Sequence, residues 1–291
     1  MRDNKRFRRY KPSLPEIEFS IPRPAYRKLP IWVKRFFPNN RLTVGYLIST
    51  NSFKANKAQK LGWFNGVVHL TPSTKIGLPG VNLCGADTDE CRKACLDDSG
   101  QLGCPSGQKA MAARTLFLLF HQELFAQRLL LETERLQAFC TRHGFRLGLR
   151  LNGTSDRPFE SRKYGRLLQA ILASFPDVVL YDYTKHFPRA TAAYRRSHGI
   201  GPYHITFSYS GKNWHHCQTL LRQGVNAAVT FAGPLPKKWR RYRVHNGDLH
   251  DLRFLDPKPR IVALRFKTVL DGRGGTVKPA DARGFVVAQA A

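Results

Sequence analysis

Four of the six cysteines in this sequence lie within residues 82–104, NLCGADTDECRKACLDDSGQLGC. Cys84, Cys91, Cys95 and Cys104 are separated by six, three and eight residues, which differs from the paired C-x-x-C spacing of common zinc ribbons. Clustered thiolates bind soft or borderline metals, so they indicate either zinc or an iron–sulfur cluster. Because the surrounding residues are too polar for a buried core, we predict that these cysteines are metal ligands.

The number of cysteine ligands decides what kind of centre this is. If only the first three bind a four-iron cluster, one iron keeps a position open to a ligand or substrate. If Cys104 is a fourth ligand, the centre is closed and structural. Cys140 lies in an apolar helical stretch and Cys217 lies beside NWHH, and we expect both to be ordinary buried thiols.

Polar side chains also collect directly after four apolar segments that have the composition of β-strands. In parallel α/β folds such positions form the functional edge of the sheet, although any one such loop serves equally well as a turn or helix cap. The segment HNGDLHD at 245–251 suits a hard cation or zinc, or a hydrogen-bonded Asp–His–Arg corner. The candidates for acid, base, cation-binding or phosphate-binding roles are Asn152, Asp156, Asp182, Lys185, Asp248, His250 and Asp251.

The elements that position these residues follow from the alternation of two kinds of segment. Helix-like segments separate most of the strand-like ones, and a longer helical stretch, continuous or kinked, is expected over 106–144. The strand-like segments are 43–49, 67–70, 145–152, 178–184, 203–210, 226–231, 242–246 and 260–267. This alternation predicts an α/β fold with parallel crossovers, as a (β/α) barrel that is complete, incomplete or distorted, with an open doubly wound sheet as the alternative.

Two regions are expected along the chain. Residues 1–41 contain several prolines and no sustained helical or strand period, which predicts an extended basic arm. Its aromatic side chains can pack on the body or stack on bases, and we expect packing. Residues 42–291 then form a single barrel-like domain that carries the cysteine loop at 82–104.

The charge of the chain favours a polyanionic partner. Lys and Arg number 48 against 20 Asp and Glu, a net charge of +28, of which residues 1–41 contribute +9. A solvated surface can carry such an excess, but counterion release makes nucleic acid, DNA or RNA, the first candidate partner. Phosphate contacts are predicted for Arg6, Arg8, Arg9, Lys237, Lys238, Arg240, Arg241 and Arg243.

Membranes are not an expected partner. The N-terminal residues lack the apolar core of a secretory signal, and no apolar run approaches the ~18 residues of a membrane span. We therefore expect a cytoplasmic location, where disulfides are uncommon and clustered cysteines more often bind metal.

Seven separated motifs, in this order, resemble a family of phage-encoded proteins known as gene product 88-like, over roughly residues 45–288. They are NLC (82–84), ECRKACL (90–96), AARTLF (112–117), RLNGTSD (150–156), FPDVVLYDYTK (175–185), YHITFSYSGKNW (203–214) and NGDLHDLRFLDP (246–257). The resemblance implies a phage or prophage origin, a bacterial host cell or a virion as the location, and Cys84, Cys91 and Cys95 as the ligands.

The cysteine pattern is also similar to that of radical S-adenosylmethionine enzymes, which place three cysteines and an open iron on a partial (β/α) barrel. That similarity implies S-adenosylmethionine as a cofactor. Those enzymes have C-x-x-x-C-x-x-C, whereas the third position here is occupied by Asp98.

Three hypotheses about function follow. The first is a phage-type protein with a four-iron cluster that binds nucleic acid or acts on it, with radical chemistry at the open iron as one form of that activity. The second is a non-catalytic nucleic-acid-binding, virion or scaffold protein with a structural zinc or a closed cluster. The third is a divalent-metal hydrolase that uses the Asp and His residues of the barrel mouth.

Overall fold

The computed structural model describes residues 10–50, 53–197, 203–271 and 275–288. Within these ranges the strands are β1 (Ile17–Ser20), β2 (Arg41–Val44), β3 (Ile48–Ser49), β4 (Trp63–Val68), β5 (Arg146–Arg150), β6 (Val179–Thr184), β7 (Tyr203–Ser208), β8 (Ala227–Ala232), β9 (Lys238–Trp239), β10 (Tyr242–Asn246), β11 (Ile261–Arg265) and β12 (Val286–Ala288). The α-helices are α1 (Arg23–Lys28), α2 (Ile31–Phe36), α3 (Phe53–Gln59), α4 (Asp89–Lys93), α5 (Gly100–Gly103), α6 (Pro105–Phe120), α7 (Gln122–Arg142), α8 (Leu167–Ser174), α9 (Phe187–Ser197) and α10 (Trp214–Arg222).

The described part of the N-terminal segment folds onto the rest of the chain. Strand β1 pairs antiparallel with β2, and α1 and α2 each begin beside a proline. Phe19, Val33 and Phe37 are buried in the main core, so the aromatic packing expected for this segment is present. Residues 10–41 are therefore integral to the core, whereas Arg6, Arg8 and Arg9 lie outside the described residues.

The main sheet has the order β3-β4-β5-β6-β7-β8-β11-β10-β9. Its central strands pair in parallel, and only the two-residue strands β3 and β9 pair antiparallel at the edges. Strand β4, WFNGVV, is buried along its whole length, as expected for a parallel strand covered on both faces. The predicted α/β class with a mostly parallel sheet is thus confirmed.

The predicted (β/α) barrel, whether complete, incomplete or distorted, is not confirmed. Strands β4 to β8 are added in sequence order, which is the winding of a barrel, and right-handed crossovers then put the intervening helices on one face. After β8 the order changes, because β11 inserts between β8 and β10. Among the described strands no pairing joins β3 to β9, so the sheet remains open.

The sheet divides at the carboxyl end of β7. Strand β8 pairs with β7 only at Ala227 and Ala228, and its last residues pair instead with β12. The chain after β7 passes close to the start of β12, because a Cβ on Gly211 would lie 2.7 Å from the carbonyl carbon of Gly284. With a φ of +95°, Gly211 also adopts a backbone conformation that other residues avoid. This division makes room for a cavity between β7, β8 and β12.

The helical stretch predicted over 106–144 is two helices, α6 and α7, that break at His121. Residues 111–118 of α6 are all buried, so this helix runs through the core rather than over the surface. Helix α7 ends before Gly144, which has a left-handed φ of 70°. The residue that precedes α6 as its N-cap is Cys104.

Candidate functional site

A single cavity joins the cysteine region to the carboxyl ends of the parallel strands. The cavity has a volume of about 200 Å³ and opens to solvent. Its lining includes Cys84, Cys91 and Cys95 on one side and, on the other, residues that end β5, β6, β7 and β11. The carboxyl edge of a parallel sheet is where α/β proteins place their ligands, so the fold puts the cysteines at the functional edge.

Helix α4 positions Cys91, and Cys95 follows shortly after the helix ends. Thr88 begins the helix, and its hydroxyl accepts a hydrogen bond from the backbone N–H of Cys91 at 3.2 Å. The helix ends at Lys93, and Cys95 has an extended backbone with a φ of −70° and a ψ of 138°. The short helix and the extended residue after it together bring both cysteines to the cavity.

The third cysteine, Cys84, is held by a network of side chains in the preceding loop. The amide oxygen of Asn82 accepts the backbone N–H of Cys84 at 2.8 Å, and its amide nitrogen donates to Asp87 at 3.1 Å. The Asp87 carboxylate also accepts the Ser73 hydroxyl at 2.5 Å and the Arg92 guanidinium at 2.7 Å. Four polar groups thus fix the loop that presents this thiol.

The cavity-lining thiols are protected from water. Burial raises the pKa of Cys84 to about 12 and raises the pKa of Cys95 well above its ordinary value. The backbone N–H of Ser73 donates to the Cys84 sulfur at 3.2 Å, a contact that favours the thiolate. Burial thus disfavours the thiolate form of both residues, and a bound metal would stabilise it.

Cys104 lies apart from the other three. It is absent from the cavity lining, and its sulfur contacts the Gln101 carbonyl oxygen at 2.8 Å and the Ser106 hydroxyl at 3.2 Å. The Ser106 hydroxyl is the main reason why the pKa of Cys104 is lowered. Of the four predicted ligands, three line one cavity and the fourth does not. Cys140 and Cys217 are buried in the core, as predicted.

Lys185 and Asp156, two of the predicted strand-end residues, line the same cavity. Burial favours the neutral amine of Lys185, but Cys91, Asp156 and Cys84 outweigh it and raise its pKa, so the ammonium persists beside the thiols. The Asp156 carboxylate accepts the Lys185 backbone N–H at 2.9 Å and the Thr184 hydroxyl at 2.9 Å. The strand ends thus present one cation and one anion toward the cysteines.

Asp182 and Asn152 do not line the cavity, so the structure gives no support to their predicted contact with a ligand. Both are buried, and the Asp182 carboxylate accepts the backbone N–H and the side-chain amide of Asn152 at 2.8 and 3.1 Å. Burial is the main cause that raises the pKa of Asp182 to about 6. Asp182 lies within β6, and Asn152, which follows β5, is hydrogen-bonded to it rather than exposed to the cavity.

Arg189 joins this buried layer to the cavity. Its guanidinium lies 2.6 Å from Asp156, 2.8 Å from Glu160 and 3.6 Å from Asp182. One buried cation is therefore shared by three carboxylates, of which only Asp156 reaches the cavity. The sequence provided no signal for this residue, which lies on α9, 33 positions after Asp156.

Asp248 and Asp251 line the cavity as predicted, but each lies near an arginine of a neighbouring strand. Arg150 lies 3.9 Å from Asp251, and Arg265 lies 3.9 Å from Asp248. Arg150 also stacks on the Tyr183 ring, with 4.5 Å to the ring centroid. These pairs give the cavity alternating charges, which suits a ligand that carries both polar and ionic groups.

His250 is not part of the cavity lining. Its Nε2 lies 4.0 Å from Asp256, which also lies 3.2 Å from His245 Nε2 and 3.1 Å from the Arg253 guanidinium. The chain turns between 250 and 256 and brings the imidazole of His250 near Asp256, apart from Asp248 and Asp251 in the cavity lining. The predicted roles of these residues stay predictions.

Several cavity residues were missed from the sequence. They are apolar, aromatic or basic residues at strand ends, and they include Arg150, Tyr183, Tyr209, Arg265, Lys267 and Phe285. Lys185 lies over the Phe285 ring at 5.3 Å from its centroid. The signal available for them was position alone, since each ends or directly follows a strand, or, for Phe285, directly precedes one.

A basic hairpin lies next to the cavity. Strands β9 and β10 are joined by the two residues Arg240 and Arg241, with left-handed φ values of 43° and 69°. The Arg240 guanidinium stacks over the Trp214 and Trp239 rings, and Trp239 in turn contacts Tyr209 of the cavity wall at a centroid distance of 5.5 Å. The exposed basic residues of this hairpin are Lys237, Lys238, Arg240, Arg241 and Arg243.

A tetrahedral zinc with Zn–S bonds of about 2.3 Å separates its sulfur ligands by about 3.8 Å. Among the described residues the cysteine sulfurs do not form a group in which all ligand atoms lie within 4.8 Å of one another.

Within the described residues no helix is both long and apolar enough to span a lipid bilayer.

The fold and site together define an α/β protein with a three-cysteine cavity at the carboxyl edge of its parallel sheet. Residues 46–289 match the family model described as gene product 88, and the chain belongs to that family. The match includes the cysteines and every cavity residue named above, while residues 1–45 precede it. Neither the curated proteins nor the solved structures contain a significant match, and the resemblance to radical S-adenosylmethionine enzymes is not supported.

Proposed function

We propose that this protein carries an iron–sulfur cluster on Cys84, Cys91 and Cys95 and uses it in a reaction on nucleic acid. The observation that carries this proposal is the convergence of those three thiols on one cavity, which they share with Lys185, Asp156 and the strand ends. Cys104, which would close the centre, lies outside that cavity. Three ligands leave one iron of a four-iron cluster without a protein thiolate.

When bound, such a cluster supplies an electron-transfer centre or a Lewis-acidic iron that faces the cavity. The residues of this chain supply the rest of the environment. Lys185 offers a cation to an anionic group of a ligand, and Asp156 offers an acceptor that Arg189 holds in a fixed orientation. Burial of Cys84 and Cys95 limits the access of water to the thiols. S-adenosylmethionine as a ligand of the open iron stays a prediction.

Nucleic acid as the substrate or partner is supported by charge and by the hairpin. The chain has a net charge of +28, and five exposed basic residues lie within the seven positions 237–243. Trp239 of the hairpin contacts Tyr209, which lines the cavity. A nucleic-acid strand bound along the hairpin would therefore pass the cavity. We infer the cytoplasm of a bacterial host, or the virion, as the place where this occurs.

Two other functions make different predictions for the same experiment. A structural zinc on a scaffold protein would give colourless protein with stoichiometric zinc. A divalent-metal hydrolase would require Asp248 and Asp251 but would not require iron. The proximity of these carboxylates to Arg265 and Arg150 favours a ligand-binding role over ion binding.

The test is the metal content and the visible absorption of protein purified without oxygen. Iron with acid-labile sulfide and a broad charge-transfer band are expected for the wild type. Cys84→Ser, Cys91→Ser and Cys95→Ser should each lose most of the iron. Cys104→Ser and Cys140→Ser, the matched controls, should retain it. Wild-type protein with zinc in place of iron, or iron that depends on Cys104, would overturn the proposal.

A further inference from the structure

His245, His250 and Asp256 form a second group of ligand atoms, separate from the cysteines. One ligand atom from each residue lies within 4.8 Å of the other two. His245 belongs to β10, whereas His250 and Asp256 belong to the segment that follows this strand. The segment after β10 thus folds back so that His250 and Asp256 lie beside His245.

The distances match those of a tetrahedral metal site. Bonds of about 2.0–2.2 Å to nitrogen and oxygen place neighbouring ligand atoms about 3.4 Å apart. The Nε2 atoms of His245 and His250 lie 3.2 and 4.0 Å from the same oxygen, Oδ1 of Asp256. Both imidazoles therefore approach one carboxylate oxygen at the separations that an ion between them requires.

The close contacts at Asp256 lack good hydrogen-bond geometry. The Asp256 side chain is fully buried, and His245 and Arg253 lie 3.2 and 3.1 Å from its oxygens, but among the described residues neither contact meets the geometry of a hydrogen bond. His245 Nε2 is buried and in the same condition. Buried carboxylates and imidazoles normally have hydrogen-bond partners of good geometry. A metal ion bound between these side chains would satisfy them.

Arg253 does not occupy the space between Oδ1 of Asp256 and the two imidazoles. Its guanidinium lies 3.1 Å from Oδ2 of Asp256, the oxygen that does not face the histidines. A cation paired with the far oxygen orients the carboxylate and neutralises part of its charge, as partners of metal-bound carboxylates commonly do. Oδ1 remains directed toward the two imidazoles.

We propose that His245, His250 and Asp256 bind a divalent transition-metal ion such as Zn²⁺. Two imidazoles and one carboxylate are a donor set for zinc, cobalt, copper or nickel rather than for magnesium or calcium. The ion would fix the segment 247–256 to β10, and this segment carries Asp248 and Asp251 to the cavity. The site does not depend on the proposed iron–sulfur cluster, because it shares no ligand with it.

The experiment uses the full chain without a polyhistidine tag, stripped with a chelator and titrated with Co²⁺. A background variant, Cys84→Ser with Cys91→Ser and Cys95→Ser, removes the thiol ligands. One equivalent of Co²⁺ with visible d–d bands and no sulfur charge-transfer band is expected in this variant, whereas the wild type should show the same d–d bands together with any absorption from Co²⁺ on the thiols. His245→Gln and His250→Gln should abolish that equivalent, and the exposed His215→Gln is the matched control.

A second measurement covers the case in which these variants do not fold. The electron paramagnetic resonance spectrum of one equivalent of Cu²⁺ on the variant that carries Cys84→Ser, Cys91→Ser and Cys95→Ser, with both histidines intact, should show coupling to two imidazole nitrogens. A spectrum without nitrogen coupling, binding retained in His245→Gln, or no bound equivalent without the thiols would overturn the site. Loss of iron with this equivalent intact would instead count only against the cysteine centre.

Discussion

Ser73 donates its backbone N–H to the sulfur of Cys84 at 3.2 Å, from a residue whose φ of 50° is left-handed. A non-glycine residue adopts this conformation only when its surroundings compensate for the strain. Here the Ser73 hydroxyl bonds to Asp87, and the Ser73 carbonyl accepts the Leu83 N–H at 2.8 Å. The strain at Ser73 is thus tied to the loop that presents Cys84.

Asp87 is the residue on which this loop should depend most. Its carboxylate accepts three side-chain donors, which outweigh the effect of burial and lower its pKa. Asp87→Ala should reduce the free energy of unfolding by about 1–3 kcal/mol, because three donors lose their acceptor. Iron should also be released faster to a chelator. Urea unfolding and absorbance during chelation measure the two effects.

Asp89 provides the matched control for this prediction. It also pairs with Arg92, but its side chain is 77% exposed. Exposed ion pairs contribute little to stability, so Asp89→Ala should behave as the wild type in both measurements. If the two alanine variants release iron at the same rate, the Asp87 network does not hold the Cys84 loop.

Arg189 gives a prediction about stability. It is buried and shared by Asp156, Glu160 and Asp182. Arg189→Gln leaves three carboxylates without their cation, and loss of one partner in a buried ionic network costs about 3–5 kcal/mol. The exposed Arg222→Gln on α10 should change stability by less than about 0.5 kcal/mol. Equal unfolding midpoints for the two variants would contradict the shared-cation interpretation.

The sequence predicts the class of fold and the cysteine site for physical reasons that can be stated. Segments such as VVLYDYT are too apolar for an exposed strand, so their alternation with helices indicates a parallel sheet. The clustering of Cys84, Cys91 and Cys95 within a short polar segment is visible in the sequence, and all three line one cavity. The path that separates Cys104 from them depends on the turns over 96–103 and has no comparable signal.

The polar residues show where such prediction ends. Asp182 lies within the predicted strand 178–184 and is buried, whereas Asp156 lies after the predicted strand 145–152 and lines the cavity. Which side chains of a strand are buried between layers is set by tertiary packing rather than by composition. The approach of Asp256 to His245 is set by tertiary packing across a turn. Closure of the sheet likewise depends on where β11 inserts, which hydrophobic patterns do not encode.

His69 gives a prediction about pH. It follows β4, its Nδ1 is buried without a hydrogen-bond partner among the described residues, and burial lowers its pKa to about 3. Below pH 6.5 the unfolded chain binds a proton that the folded chain excludes, so the contribution of His69 to stability falls as the pH falls. This contribution should fall by up to about 2 kcal/mol between pH 7 and pH 5.

Urea unfolding of wild type and His69→Gln at the two pH values tests this. The variant should show a smaller loss of stability at pH 5 than the wild type, whatever other groups titrate. His215→Gln, an exposed substitution, should keep the wild-type difference. A wild-type difference that persists in His69→Gln would mean that the imidazole is protonated in the folded protein.

The contribution of the N-terminal basic residues to nucleic-acid binding is best tested by a short deletion rather than a long one. Removal of residues 1–41 would also delete Phe19, Val33 and Phe37 from the core, so lost binding would report misfolding. Deletion of residues 1–9 removes Arg6, Arg8 and Arg9 and leaves that core intact. Affinity for DNA or RNA should fall most at low salt, as counterion release requires. Unchanged affinity at about 50 mM salt would exclude these arginines from the interface.

The turn of the basic hairpin gives a prediction in which stability and binding change in opposite directions. Arg241 has a φ of 69°, which glycine adopts without strain. Arg241→Gly should therefore raise the free energy of unfolding by about 0.5–1 kcal/mol. The same change removes one exposed cation, so the slope of log affinity against log salt should fall by about 0.7–0.9.

Arg243 separates the two effects, because it lies in β10 and not in the turn. Arg243→Gln removes the same charge without relief of backbone strain, and it should lower the salt slope without a gain in stability. Fluorescence anisotropy with single-stranded and duplex oligonucleotides, between about 50 and about 200 mM salt, measures the slope. If neither variant changes the slope while Arg241→Gly is stabilised, the hairpin has the conformation described but does not contact phosphate, and another basic surface must bind the nucleic acid.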